Sequence, residues 1–250
     1  VGEKGATQEN SGVAFGVTYA LVLILYMALI LYGTFVMTSI IEDKNSRVIE
    51  VIVAYVKPQQ FMAGKIIGTG AAGLSQFFIW ILFAALASSY GTLMVHQLAP
   101  QAVNISIPAI SIWVYTSFVL YFLLGYFLYA TLYAMVGSMV NSTQESQNLQ
   151  WPVISFLIIG MLLMLGIIRN PDSTLATILS LIPFFTPLLM FLRIAIGAAP
   201  MWQVVFSIII MLVTIWGFVL VAGRIFRVGI LMYGKRPNLP EVMKWLKYPG

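Results

Sequence analysis

The sequence predicts an all-α, polytopic transmembrane helix bundle, and three observations carry that prediction. Of the 250 residues, 60% are apolar and only 8% charged, where an ordinary soluble domain carries about a quarter charged residues. Mean hydropathy is +0.95. The few charges bound long charge-free windows, each near the roughly 20 residues that a helix needs to cross about 30 Å of hydrocarbon. The same composition excludes a disordered chain. With no cysteine, disulfide frameworks, thiolate metal sites and cysteine nucleophiles are excluded as well.

Five spans follow in order. The first covers about 13–41, between Glu9 and Glu42, and the second about 66–90. No Asp, Glu, Lys or Arg lies between Lys65 and Glu145, so that stretch holds two spans, divided by the polar HQLAPQAVNISIP at 96–108. The third is therefore about 109–140, long enough to tilt or project. The fourth, 151–168, has Pro152 in its first turn, where a missing N–H is harmless. The fifth covers about 201–222. Between the last two, LATILSLIPFFTPLLMFLRIAIG at 175–197 is apolar but interrupted by Pro183 and Pro187 and carries Arg193. It reads as a broken, re-entrant or interfacial helix pair, with a straight sixth span as the rival.

Orientation follows from the basic residues. With the amino end outside, Lys44, Arg47, Lys57, Lys65, Arg224, Arg227, Lys235, Arg236, Lys244 and Lys247 fall inside, and only Lys4, Arg169 and Arg193 outside. Ten against three is a positive-inside bias. Residues 1–12 then read as an extracytoplasmic remnant and 231–250 as a basic cytoplasmic tail. The start VGEKGATQENSG has no initiator Met and no signal-peptide pattern, which points to the carboxyl part of a longer protein.

The five spans hold no Asp, Glu, Lys, Arg or His. Secondary transporters and pumps place ionisable groups at membrane depth despite a cost of about 2.5–3.5 kcal/mol or more each, so energy for any transport is expected to come from elsewhere. The deepest strongly polar side chain is Gln76, read as an interhelical hydrogen-bonding group. No phosphate-binding loop is present; QQFMAGKII at 59–67 lacks the first Gly and the Ser or Thr. No catalytic constellation or metal-ligand spacing stands out, and the basic balance reflects topology rather than nucleic-acid binding.

The most informative segment is the inner loop 41–68. On helical spacing Arg47, Glu50, Ala54 and Lys57 form one face and Val48, Val51, Ile52 and Tyr55 another. Asp43 or Asn45 is placed to cap this short amphipathic helix, and Pro58 to stop it. Such a helix either lies on the lipid headgroups or docks into a partner. The run EDKNSRVIEVIVAYVKPQQFMAGKIIGTGAAGLSQFFIW at 42–80, with its acidic pair, I-E-V run, K-P turn and G-K-I-I-G, resembles ABC-2-type transporter permeases of the NatB-like group. Segments 125–147, 167–197 and 224–248 agree in order. The chain departs from that pattern at Asn141 and Asp43, where relatives carry an acidic residue and Glu.

The resemblance implies the membrane-spanning permease subunit of an ATP-driven ABC exporter in the bacterial cytoplasmic (inner) membrane. No cofactor sits on this chain; separate ABC ATPase subunits hold ATP and Mg, and a second permease copy or paralogue completes a dimer within membrane lipid. It also implies that Glu42, Asp43, Lys44, Arg47 and Glu50, with Lys57 on the same loop, form the coupling segment 42–58 that contacts the ATPase, and that Pro183 and Pro187 break the outer re-entrant helices. On the third span Tyr115, Phe118, Phe122, Tyr126, Tyr129 and Tyr133 form an aromatic stripe. It either packs against neighbours or, with Tyr19 and Tyr26, lines a path for an amphipathic or cationic substrate. The small-residue run GTGAAGLS at 68–75 allows close helix contact within the chain or at a dimer seam. A non-transporting anchor or scaffold in an envelope complex, or a secondary transporter, remains the alternative.

Overall fold

The computed structural model of the chain describes residues 2–46, 48–98 and 111–229. Among these the structure is a set of nine helices with no strand: α1 (Gly2–Asn45), α2 (Val48–Val53), α3 (Pro58–Leu98), α4 (Ile112–Met139), α5 (Thr143–Leu149), α6 (Trp151–Arg169), α7 (Thr174–Leu181), α8 (Thr186–Ala195) and α9 (Met201–Gly229). Four are long and apolar enough to cross a membrane, in Phe15–Asn45, Ile112–Met139, Trp151–Arg169 and Met201–Gly229. The second expected span lies within continuous α3. The tail 231–250 and most of the divider at 96–108 lie outside the described residues.

Helix boundaries follow local chemistry. Ser111 caps α4 through its hydroxyl, which accepts from the Trp113 N–H at 3.3 Å. Val140 turns extended and ends α4. Ser142 then caps α5, accepting from Glu145 N–H at 3.2 Å, while the Glu145 carboxylate reaches back to Asn141 N–H at 3.2 Å. This reciprocal pairing satisfies two donors at a helix start, as a capping box does. Gln60 likewise accepts from Lys57 N–H at 3.3 Å at the start of α3, and Pro58 sits in its first turn.

Two expectations need correction. The first span does not end as a helix at Ile41: Ser46 N–H still donates to Glu42 carbonyl at 2.9 Å, so Glu42, Asp43 and Lys44 form the last turn of α1. Neither Asp43 nor Asn45 caps a separate coupling helix, which shrinks to the six residues of α2. Charges end the hydrophobic window, but they do not end a helix whose residues tolerate helical geometry.

The segment 175–197 is broken, and the break is at Pro183, in the turn between α7 and α8. Pro187 lies in the first turn of α8, where it is harmless. With 8 and 10 residues, α7 and α8 reach only about 12 and 15 Å at 1.5 Å per residue, so no straight sixth span forms. Every residue from Thr186 to Ile194 is buried. α8 is therefore a core helix enclosed by its neighbours, as expected of a helix buried on all sides.

α4 is the hub, packed against α1, α8 and α9. Its aromatic residues meet glycines on the neighbours. The Tyr133 ring lies against Gly33 of α1, and a methyl at Gly70 of α3 would sit 2.6 Å from Tyr126 Cε1. Gly73 faces Tyr32 and Phe122. Gly70 and Gly73 of the small-residue run thus serve packing within this chain, while Gly68, Ala71, Ala72 and Ser75 are exposed. Outward faces of α3, α6 and α9 carry exposed Phe78, Phe83, Leu162, Leu165, Trp202, Val213 and Trp216, a surface suited to lipid.

Candidate functional site

Of the sequence-predicted coupling residues, Glu42, Asp43, Lys44 and Lys57 are described, and they lie at one end of the bundle, by the last turns of α1 and α4, Gly229 of α9 and the start of α3. They do not share one role. Glu42 is exposed. Asp43 pairs with Lys65 of α3 at 2.5 Å. The Lys65 ammonium also donates to the Ser39 carbonyl at 2.9 Å and to the Ser39 hydroxyl, and lies 5.4 Å from the centre of the Phe61 ring. Asp43 is thus committed to an internal α1–α3 link.

Lys44 departs furthest from expectation. It is 1% exposed, and its ammonium donates to the carbonyls of Gly229 at 2.8 Å, Ser138 at 3.1 Å and Val140 at 3.4 Å. Glu145 adds a favourable charge through space. A buried ammonium needs such partners to offset its desolvation. Lys44 cannot also touch a partner protein.

Beyond Asn45 the chain protrudes. Ile49 is fully buried and anchors α2, while Val48, Val51, Tyr55 and Val56 are exposed, Val51 at 64% and Tyr55 at 88%. Lys57 is exposed. The apolar face assigned to Val48, Val51 and Tyr55 therefore points away from the chain, with Ile49 the inward residue; Ile52 is half-buried. Arg47 and the Glu50 side chain lie outside the described residues. The basic residues whose side chains are described cluster here too: Lys44, Lys57, Lys65, Arg224 and Arg227, against Arg169 and Arg193 at the opposite end.

The aromatic stripe fills the interior. Tyr115 is exposed near the start of α4, but Phe118, Phe122, Tyr126, Tyr129 and Tyr133 are buried. Tyr126 donates to the Ile66 carbonyl at 2.6 Å and Tyr129 to the Phe184 carbonyl at 2.7 Å, as burial demands, whereas the buried Tyr133 hydroxyl has no hydrogen-bond partner among the described residues. Phe77 stands edge-on to Phe118 and Phe122 at 5.5 and 4.6 Å. Tyr19 and Tyr26 are half-buried at the edge of the same core. Packing, rather than lining a passage within one chain, is the role these surroundings give the stripe. Gln76 is exposed, and its amide oxygen accepts from Tyr32 at 2.5 Å, an α1–α3 interhelical bond.

At the opposite end lies a feature the sequence did not disclose. Arg193 is 1% exposed and donates to Pro171 carbonyl at 3.0 Å, Ser180 hydroxyl at 2.9 Å, Gln203 amide oxygen at 2.7 Å and Ala198 carbonyl at 3.2 Å. One guanidinium ties together α7, α8, α9 and their loops. Its only signal in the sequence is a lone Arg ending an apolar run. Beside it a groove of about 730 Å³ is lined by Leu162, Ile167, Arg169, Asp172 and Leu175.

The family model described as "ABC-2 family transporter protein" matches residues 4–224. Over 249 residues the chain is 32% identical to an uncharacterized protein of Bacillus subtilis (strain 168), YhaP, covering 98% of this chain and 58% of that protein. Over 223 residues it is 31% identical to an uncharacterized protein of Methanocaldococcus jannaschii, MJ1024, covering 89% and 52%. The chain thus spans between half and three-fifths of the length of these relatives. No solved structure matches it.

Proposed function

This chain belongs to the ABC-2 transporter family, and from that premise we propose that it is the membrane-spanning permease part of an ATP-driven exporter, worked by separate ABC ATPase subunits. The observation that carries this reading is the protruding segment 48–57. Ile49 is its one buried side chain among the described residues, and it presents Val51 and Tyr55 outward at the lysine-rich end of the bundle. Basic residues mark the cytoplasmic side, where an ATPase works. Exposed apolar and aromatic side chains beside charged ones form the kind of patch that binds a protein partner.

In this reading α7 and α8 lie toward the outside, ATP and Mg are held by the ATPase, and a second permease copy or a paralogue forms the other half of the transporter in the cell membrane. The spans contain no Asp, Glu, Lys, Arg or His between Phe15 and Ile41, in α4, or between Trp151 and Ile168, which favours an ATP motor over a secondary transporter. A scaffold reading lacks a use for an exposed segment leading out of a turn of α1 that is held to α3, α4 and α9.

The test uses the full-length permease co-expressed with an ABC ATPase subunit from the same genome. This chain contributes no cysteine, so Tyr55→Cys carries a specific photo-crosslinker. Crosslinking to the ATPase supports the proposal. Crosslinking to lipid alone returns segment 48–57 to the headgroup surface and removes the main support for coupling.

A further inference from the structure

We propose that Lys44 is a positioning residue that transmits movement of the α2 segment to the far end of the bundle; the inference rests on the functional reading above. The last turn of α1 leads through Ser46 toward α2, which packs against α1. Consecutive residues of this turn hold three neighbours: Asp43 holds α3 through Lys65, and Lys44 holds the ends of α4 and α9. An ammonium has three protons, and here it has three carbonyl acceptors.

The identity of the acceptors matters. The final carbonyls of a helix lack intrahelical partners and form the negative end of its dipole, and Ser138 lies in the last turn of α4. Gly229 of α9 lies against it, so close that a methyl at Gly229 would sit 2.8 Å from the Ser138 carbonyl oxygen. Carbonyl oxygens brought together repel, and the buried cation that donates to both makes the contact favourable. Removing the cation therefore disconnects α1 from both helices and loosens α4 from α9. Since α4 also packs on α8, and α9 begins at the Arg193 clasp, a rigid junction at Lys44 lets a push on α2 reach the α7–α8 end. A neutral side chain at this position leaves α2 able to dock but unable to drive.

The experiment uses the full-length permease with its ATPase in nanodiscs, carrying spin-label pairs at Ala54 and Arg227 and, separately, at Leu175 and Met201, all exposed. Lys44→Met is expected to keep ATPase binding, hydrolysis and the ATP-dependent shift of the first pair, and to lose the shift of the second. Lys44→Arg, which keeps the charge and multiple donors, is expected to restore it. A second-pair shift that survives in Lys44→Met overturns the proposal while leaving the functional reading intact. An unsubstituted permease that binds no ATPase overturns the functional reading and the transmission claim with it. Amide exchange of residues 224–229 in the permease alone is expected to rise in Lys44→Met and not in Lys44→Arg, and unchanged exchange overturns the junction. Should Lys44→Met fail to accumulate, Lys44→Gln, which keeps two donors, takes its place.

Discussion

Arg193 reaches from α8 to the first turn of α9, where its Nη1 donates to the amide oxygen of Gln203 at 2.7 Å. The same guanidinium serves Pro171, Ser180 and Ala198, so a single side chain satisfies four acceptors in a buried pocket. Arg193→Met strands these groups, and each buried acceptor left unmade costs on the order of 1 kcal/mol or more. A loss of about 3 kcal/mol is expected, read as a lower midpoint of thermal unfolding in detergent. Lys at this position does not rescue, because three protons on a flexible stem do not reproduce a planar five-donor fork. Gln203→Leu costs less, since the other three acceptors remain. Wild-type stability in Arg193→Met would refute the clasp.

The contact of Tyr133 with Gly33 yields a second prediction. There is no room for a Cβ at position 33 unless the ring moves, and Tyr133 is fully buried. Gly33→Ala is expected to destabilise by about 1–3 kcal/mol through overpacking, despite the better helix propensity of Ala. Shrinking the partner with Tyr133→Val in the same chain should recover part of the loss, a coupling that a double-mutant cycle measures directly. Additive effects would mean that the two residues are not in contact. Gly64 and Gly68, with nothing near the position of a Cβ, are the controls at which Ala is neutral or stabilising.

These positions show what was legible in the sequence. The apolar helices were, because crossing hydrocarbon demands a charge-free window of fixed length, and four of the five expected windows fall on helices long and apolar enough for it; the helix break was, because Pro183 removes a donor and clashes with the preceding turn. The identity of the family was legible in segment 42–80. The fate of Lys44 was not. A Lys flanking a span ordinarily extends toward water, and nothing local reveals that the ends of α4 and α9, 94 and 185 residues away, arrive to enclose it. The same holds for Arg193, and for α8, whose all-round burial depends on what surrounds it. The aromatic stripe of α4 was visible as a period, but its partners Gly33 and Gly70 lie on other helices. Periodicity alone does not distinguish a packed face from an exposed lining.

The Asp43–Lys65 pair is partly exposed, with side chains 27% and 16% accessible, so its own contribution is expected to be about 1 kcal/mol or less and to fall with added salt. Lys65 has further acceptors in Ser39. Lys65→Met should therefore cost more than Asp43→Asn, and the exchanged pair Asp43→Lys with Lys65→Asp should fail to restore full stability because Ser39 loses its donor. Equal costs for the two single variants, measured by unfolding in detergent at low salt, would show that the Ser39 contacts contribute nothing.

Segment 48–57 separates docking from folding more cleanly than any other part of the chain. Tyr55 and Val51 have few neighbours of their own chain to lose, so Val51→Glu and Tyr55→Glu are expected to change permease stability by less than about 0.5 kcal/mol. At a protein interface an aromatic anchor commonly contributes 2 kcal/mol or more, which corresponds to at least a roughly tenfold loss of affinity. Co-purification of the ATPase should therefore fall at least tenfold in Tyr55→Glu, while the permease remains folded and membrane-inserted. Ile49→Glu behaves differently: Ile49 is fully buried, so a charge there displaces α2 from the bundle and lowers stability and ATPase binding together. If Tyr55→Glu retained its ATPase while Ile49→Glu lost it, the motor would contact some other surface of this end, and the exposed tip of α2 would be no more than a lipid contact.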